Sequence, residues 1–173
     1  MLYKFDGRKP EIGQGAYVSE EALVIGNVKI GDNCYIGHGA ILRGDYGSIH
    51  IGPGTAVEEG VIIHAPPREA SLIGERVTIG HGAIVHSAKI GDFSVIGMGA
   101  VLSIRSEIGA NTIIAEGAVV KMKQVISDGV VAGGNPAMVL RKITKKDTDY
   151  WEWGKQLYID LAKKYLAGAM EKV

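Results

Sequence analysis

A branched aliphatic residue recurs every six positions along most of this 173-residue chain, and this spacing constrains the fold more than any other feature. An α-helix repeats about every 3.6 residues and cannot produce such a series. Period six with β-favouring residues is typical of a parallel β-helix, in which each hexapeptide forms one flat face and a turn. The members of the series are Ile12, Val18, Val24, Ile30, Ile36, Leu42, Ile51, Val57, Ile63, Ile73, Ile79, Val85, Ile90, Ile96, Leu102, Ile108, Ile114 and Val120.

The interruptions of the repeat fall where a β-helix tolerates them. Three hexapeptides make a triangular coil of 18 residues, so insertions belong at its corners. The step is nine from Leu42 to Ile51, ten from Ile63 to Ile73, five from Val85 to Ile90 and six elsewhere. This grouping predicts about six coils, and the constant phase disfavours an ordinary β-sandwich. The coils begin at Ile12, Ile30, Ile51, Ile73, Ile90 and Ile108.

Glycine is abundant, with 25 of the 173 residues, about twice the usual fraction of about 7%. It often follows the repeated aliphatic residue directly, as in Ile12-Gly13 and Ile30-Gly31. Because glycine has no Cβ, this pattern predicts a chain with many sharp backbone turns.

The pattern changes near the carboxyl end. Thr144 followed three places later by Asp147 is a helix-start box. Trp153, Leu157, Leu161 and Tyr165 then follow at four-residue intervals. We therefore expect two parts, a β-helix over 1–143 with its lead-in and a segment, 144–173, with one amphipathic helix of about 25 residues. Its aromatic stripe should pack on a flank of the β-helix, of this chain or of a neighbour.

Charge and cysteine content limit the partners. Lys and Arg number 19 and Asp and Glu number 19, so the formal net charge is 0. No basic field is available to attract nucleic acid or an anionic membrane, and both are disfavoured as partners. The one cysteine, Cys34, excludes an internal disulfide. With neither a signal-like start nor a long apolar run, the chain is expected to be cytoplasmic.

All five histidines fall between positions 38 and 86. His64 follows Ile63 directly and His86 follows Val85 directly, so both occupy the same place in consecutive coils. They should stack about 4.8 Å apart, the spacing of paired strands, and could share one metal ion. Taken singly, each histidine is equally consistent with an exposed or hydrogen-bonded side chain that binds no metal.

His81 occupies a different face, two places after Ile79. A three-fold homo-oligomer would bring that face of one subunit against the face that carries His64 and His86 of the next. We therefore expect an intersubunit site of three histidines. Three neutral nitrogens leave one position of a tetrahedral ion open, which is typical of a catalytic site.

Charged residues follow the same columns. Arg43 should lie beneath His64, and Glu59 should lie beneath His81. We expect Arg43 to pair with Asp45 or Glu59 across subunits, so that its first role is assembly and its second is binding of a substrate anion.

Four motifs stand out, namely Arg43-Gly44-Asp45, the segment 57–64, the segment 81–86 and Gly134-Asn135-Pro136-Ala137. Together they resemble the γ-class carbonic anhydrase family, including its carnitine- and phenylacetate-operon relatives. The resemblance implies a left-handed β-helix, a homotrimer, and zinc, or else iron or cobalt, held by His64, His81 and His86. It also implies reversible hydration of CO2 to bicarbonate by a metal-activated hydroxide.

The chain departs from this family in ways that bear on activity. Glu58 stands where the family usually carries a glutamine, Ala56 replaces an asparagine, and Tyr46 replaces an acid. Glu69, in the short insertion after His64, is a candidate proton shuttle by proximity. The candidate catalytic residues are therefore Glu58, Arg43, Asp45 and Glu69.

Two other functions stay open on this scaffold. The first is a CoA-dependent acyltransferase or thioesterase, because a fold does not determine a function. The second is a catalytically silent trimer that keeps its metal for assembly, which the Glu58 departure favours.

Overall fold

The computed structural model describes residues 1–171, so residues 172 and 173 of the expected segment 144–173 lie outside the described residues. The elements are β1 (Leu2–Tyr3), β2 (Glu11–Ile12), β3 (Tyr17–Val18), β4 (Leu23–Ile30), β5 (Tyr35–Ile36), β6 (Ile41–Ile51), β7 (Ala56–Val57), β8 (Ile62–His64), β9 (Ala70–Ile73), β10 (Thr78–Ile79), β11 (Ile84–His86), β12 (Lys89–Ile90), β13 (Val95–Ile96), β14 (Val101–Leu102), β15 (Glu107–Ile108), β16 (Ile113–Ile114), β17 (Val119–Val120), β18 (Val125–Ile126), β19 (Val130–Gly133), β20 (Met138–Lys142) and α1 (Lys145–Leu166).

The strands stack in parallel ladders, which confirms the expected β-helix. One sheet runs in the order β3, β5, β7, β10, β13, β16 and β19, one strand from each coil, and β20 joins it antiparallel. The structure thus has seven coils, one more than the repeat predicts. The seventh was missed because Ala132, which pairs with Ile114, is not a branched aliphatic residue.

The repeated aliphatic residues line the inside of the coils. Consecutive members pair across coils in register, as Val57 does with Ile79 and Ile63 does with Val85. Most are fully buried, so each coil adds one layer to a continuous aliphatic core. The core explains why only Ile, Val and Leu occupy these positions, since their branched side chains fill a narrow interior.

The glycine that follows the aliphatic residue has a packing reason at Gly52. A Cβ built there would lie 2.5 Å from the carbonyl carbon of Gly74 in the next coil. At another corner the reason is conformational, because Gly117 has a φ of +65° and open space around it. Two different requirements therefore produce one glycine-rich sequence.

The faces of the coil position the histidines. The long strands β4 and β6 continue through a corner and join two faces into one 12-stranded sheet. Strands β8 and β11, which carry His64 and His86, belong to this sheet. His81 follows β10 of the other sheet, so the structure separates it from the other two histidines.

Helix α1 begins as expected, with Thr144 as N-cap and a reciprocal capping box to Asp147. Its 22 residues pack along β3, β5 and β7 through tyrosines. The expected stripe packs only in part, because Trp153 is 59% exposed and Leu157 is 47% exposed. The tyrosines are Tyr17, Tyr35, Tyr158 and Tyr165.

Within residues 1–171, α1 is too polar to serve as a membrane-spanning helix, and no other helix is present there.

Candidate metal centre

His64 and His86 lie opposite each other on paired strands β8 and β11. Their ring centroids are 5.0 Å apart, and His64 Nδ1 lies 3.1 Å from His86 Nε2. Burial and the neighbouring Arg43 guanidinium hold the pKa of His64 below its ordinary value. The two imidazoles thus form a preassembled pair.

The second nitrogen of His64 is unusual. His64 Nε2 is buried and has no hydrogen-bond partner among the described residues. A buried polar atom without a partner costs free energy, so such atoms commonly mark a site for an ion or another molecule. A lone pair on a neutral imidazole nitrogen is what a divalent transition metal binds.

His81 is held by two carboxylates. Its Nδ1 lies 2.9 Å from Glu59 Oε2, and its Nε2 lies 3.0 Å from Glu58 Oε2. The backbone N–H of His81 also donates to Glu58 Oε2 at 3.1 Å. A carboxylate on one ring nitrogen fixes the orientation of an imidazole and is the usual support of a metal-binding histidine.

Tyrosines in turn hold these carboxylates. The Tyr35 hydroxyl donates to Glu59 Oε1 at 2.6 Å. Burial and this hydrogen bond raise the pKa of Tyr35, and burial and a hydrogen bond to Glu58 raise the pKa of Tyr158. Burial alone would raise the pKa of Glu59, but the Tyr35 hydroxyl and His81 outweigh it and lower that pKa. The hexapeptide register does not predict that Tyr158 lies near Glu58, because Tyr158 belongs to α1 and not to the repeat.

Arg43 lies next to His64 in register, as expected, and its partner within the chain is Asp45. Arg43 NH1 donates to Asp45 Oδ2 of the same chain at 2.7 Å, and the expected pairing across subunits stays a prediction. The contact with Asp45 is local, because residues two apart on an extended strand project to the same face. Burial opposes ionisation of Asp45, yet the Arg43 guanidinium and the Tyr46 N–H hold its pKa below the usual range. Asp45 Oδ1 lies 3.7 Å from His64 Nε2.

Glu69 is tied to other side chains. It accepts hydrogen bonds from Arg105 Nε at 2.7 Å and from Ser87 Oγ at 2.8 Å. These donors hold the pKa of Glu69 below its usual range. A carboxylate engaged in this way anchors the insertion that follows His64, and its low pKa suits it poorly to carry protons near neutral pH.

The expected trio is not assembled within one chain. In the part of the chain that the structure describes, residues 1–171, no three His, Cys, Asp or Glu side chains come together as metal ligands. The structure brings His64 and His86 together and holds His81 on the other sheet. The unpartnered nitrogen of His64 fits a divalent ion, whereas both ring nitrogens of His81 face carboxylates, Glu59 at Nδ1 and Glu58 at Nε2.

The repeats match known families of hexapeptide proteins. Residues 9–44 match the family of bacterial transferase hexapeptides (six repeats). Residues 27–65 and 72–103 match the hexapeptide repeat of succinyl-transferase. A hexapeptide transferase family protein from Anaplasma phagocytophilum superimposes with a TM-score of 0.91 at 30% identity, covering 95% of this chain and 98% of that chain.

Whole-chain relatives are more specific. Mitochondrial gamma carbonic anhydrase 2 of Arabidopsis thaliana is 35% identical over 94% of this chain, which spans only 60% of that relative. The carnitine operon protein CaiE of a Proteus species is 34% identical over 98% of this chain and 86% of its own length. A carbonic anhydrase from Geobacillus kaustophilus is 31% identical over 96% of this chain and 92% of its own length. Because these relatives match nearly the whole of this chain at 31% identity or more, the chain belongs to the γ-carbonic-anhydrase-like family of hexapeptide-repeat proteins.

Proposed function

We propose that this chain forms a homotrimer that hydrates CO2 reversibly to bicarbonate, using a divalent ion held between neighbouring subunits. The observation that carries the proposal is the buried, unpartnered Nε2 of His64 beside His86. His81 is oriented by Glu59 and lies on a different sheet, and in this proposal it would serve a neighbour's histidine pair instead of its own.

The ion would be held by His64 and His86 of one chain and His81 of the next. Zinc is the first choice for three imidazoles, with iron or cobalt as alternatives. Such an ion supplies a hydroxide nucleophile near neutral pH by lowering the pKa of water.

The acidic side chains have separate roles in this proposal. Glu59 orients the His81 ring through Nδ1. Glu58 is buried beside the other ring nitrogen of His81, at 3.0 Å, and its carboxylate would accept the proton that hydration releases. Because Glu58 adds negative charge, it also disfavours a bicarbonate anion at the site.

Arg43 balances that charge. Its side chain is 43% exposed and is anchored by Asp45, so the guanidinium keeps donors for an anion at the mouth of the site. Glu69 supports the same region by holding the insertion after His64 against Arg105.

Two alternatives stay in view. A CoA-dependent thioesterase or acyltransferase is favoured by the transferase-type structural relative. A catalytically silent scaffold is favoured by Glu58. A cytoplasmic location is a further proposal that rests on the single buried cysteine, Cys34, which suits a reducing compartment.

Elemental analysis of anaerobically purified protein together with stopped-flow CO2 hydration tests the proposal. We expect about one ion per chain, since a trimer with one site per interface requires three. Hydration should exceed the buffer background after loading zinc, cobalt or iron. Bound metal without hydration would favour the thioesterase or the scaffold, and absence of metal after every loading would contradict the site.

A further inference from the structure

A pocket of about 240 Å³ opens between α1 and the coil face that carries His81. Its walls come from both, with Met98 and Leu157 among the apolar residues. The residues that give it its chemistry are Glu58, Glu116, Tyr150, Trp151, Trp153 and Tyr158, and we call this the aromatic–acidic pocket.

The charged side chains that line the aromatic–acidic pocket are acidic, and the nearest ammonium, Lys155, lies behind its wall, where it donates to Thr78 Oγ1 at 3.5 Å. Two carboxylates, Glu58 and Glu116, line it, and no Lys or Arg is among its lining residues. Glu58 is 5% exposed and is held by His81 and Tyr158. Glu116 makes no side-chain hydrogen bond or ion pair within residues 1–171 and is free to meet a cation.

Of the four aromatic side chains, Tyr150 and Trp153 are the exposed pair, because Trp151 lies against the Lys155 ammonium and Tyr158 packs on the β-helix. Tyr150 and Trp153 are each 59% exposed, and their ring centroids are 6.0 Å apart. Trp153 belongs to the part of the helical stripe that does not pack on the β-helix, and Tyr150 lies beside it outside the stripe. Exposed aromatic rings beside acids are the arrangement that attracts a cation through both ring faces and charge.

We propose that the aromatic–acidic pocket binds a small organic cation of the substituted-ammonium class. Trp153 and Tyr150 would contact its alkyl groups, and Glu116 would balance its charge. The volume lies below the range of about 300–1,000 Å³ typical of drug-sized ligands, which suits a head group and not a large molecule. The inference goes beyond the proposed hydration, because binding of this cation needs no metal.

Intrinsic tryptophan fluorescence can report binding in this pocket. It has two tryptophans, Trp151 and Trp153, and both line the pocket. Titration with choline at constant ionic strength should change the tryptophan fluorescence and saturate in the millimolar range, as expected for a small ligand. The neutral isostere 3,3-dimethyl-1-butanol has the same shape without the charge and should bind at least about fivefold more weakly, the size of one exposed charge interaction.

Variants locate the site. Glu116→Gln should weaken choline binding about fivefold, and Trp153→Ala, read through Trp151, should weaken it about tenfold. Glu152→Gln is the matched control. It also removes one negative charge, but Glu152 lies on α1 and lines a different cavity. Circular dichroism and chain association show whether each variant retains its fold.

Three results would overturn the proposal: no saturation, equal affinity for the alcohol, or equal effects of Glu116→Gln and Glu152→Gln. The titration is repeated on His64→Ala, which lies outside the pocket lining. Binding retained there with metal lost would separate this site from the proposed hydration site.

Discussion

At the scale of single residues, Gly52 shows how closely consecutive coils approach. A methyl group there would overlap the backbone of Gly74, which the ladder hydrogen bonds hold in place. We expect Gly52→Ala to lower the free energy of unfolding by about 3 kcal/mol, the upper end for overpacking. Gly117→Ala meets only its positive φ and should cost about 1 kcal/mol. Urea unfolding at one fixed protein concentration measures both, and equal costs would contradict the packing explanation.

Glu58 provides a second residue-scale prediction. Its carboxylate places negative charge beside His81, which should raise the pKa of the reacting water and repel bicarbonate. We therefore expect Glu58→Gln to increase the CO2 hydration rate measured by stopped flow. Glu59→Gln, which weakens the support of the His81 ring, should instead lower the metal content. Unchanged hydration in Glu58→Gln would show that the limit lies elsewhere.

The register predicted residue neighbours well where they depend on the coil alone. It placed His64 against His86 and Arg43 against His64, because a constant period places equivalent positions of consecutive coils side by side. It did not predict that Arg43 binds Asp45 of its own chain, since that contact depends on strand pleating at a corner. It also missed the contact of Tyr158 with Glu58, because the docking of α1 is independent of the period.

At the scale of elements, α1 contains a residue that its sequence would place in solvent. Lys155 is 3% exposed, and its ammonium donates to the Ser94 carbonyl oxygen at 3.1 Å. Burial, and next the charge of Arg76, lower the pKa of Lys155 to about 7. The hydrophobic pattern of the helix does not predict the burial of Lys155, because lysine normally lies on the exposed face of an amphipathic helix.

The buried lysine makes stability depend on pH. The pKa of Lys155 is lower in the folded chain than in the unfolded chain, so the unfolded chain binds more protons above pH 7. Unfolding free energy should therefore rise from pH 7 to pH 9, by about 1 kcal/mol per pH unit. Lys155→Met should flatten this rise and increase stability at pH 7, whereas Lys164→Met on the exposed side of α1 should not. Urea unfolding across this pH range tests it, and a rise that persists in Lys155→Met would assign it to other groups.

At the scale of the whole molecule, the sheet topology and all but one of the seven coils follow from one repeated interval. The exception at Ala132 is instructive, because a buried alanine continues the ladder as well as isoleucine does. What a repeat cannot specify is how coils of different chains meet. His81 lies on a different sheet from His64 and His86, so the proposed three-histidine site depends on a contact between chains that the period does not specify.

A complementation experiment reads the proposed assembly directly. Trimers of His81→Ala alone or of His64→Ala alone should bind no metal, because every interface lacks one ligand. In a mixed trimer, one interface joins a chain with intact His64 and His86 to a chain with intact His81. Purified mixed trimers with two affinity tags should therefore bind about one ion each, a third of the wild-type content. If the three ligands came from the same chain, mixed trimers would stay empty, whereas metal bound by either pure variant would remove that histidine from the ligand set.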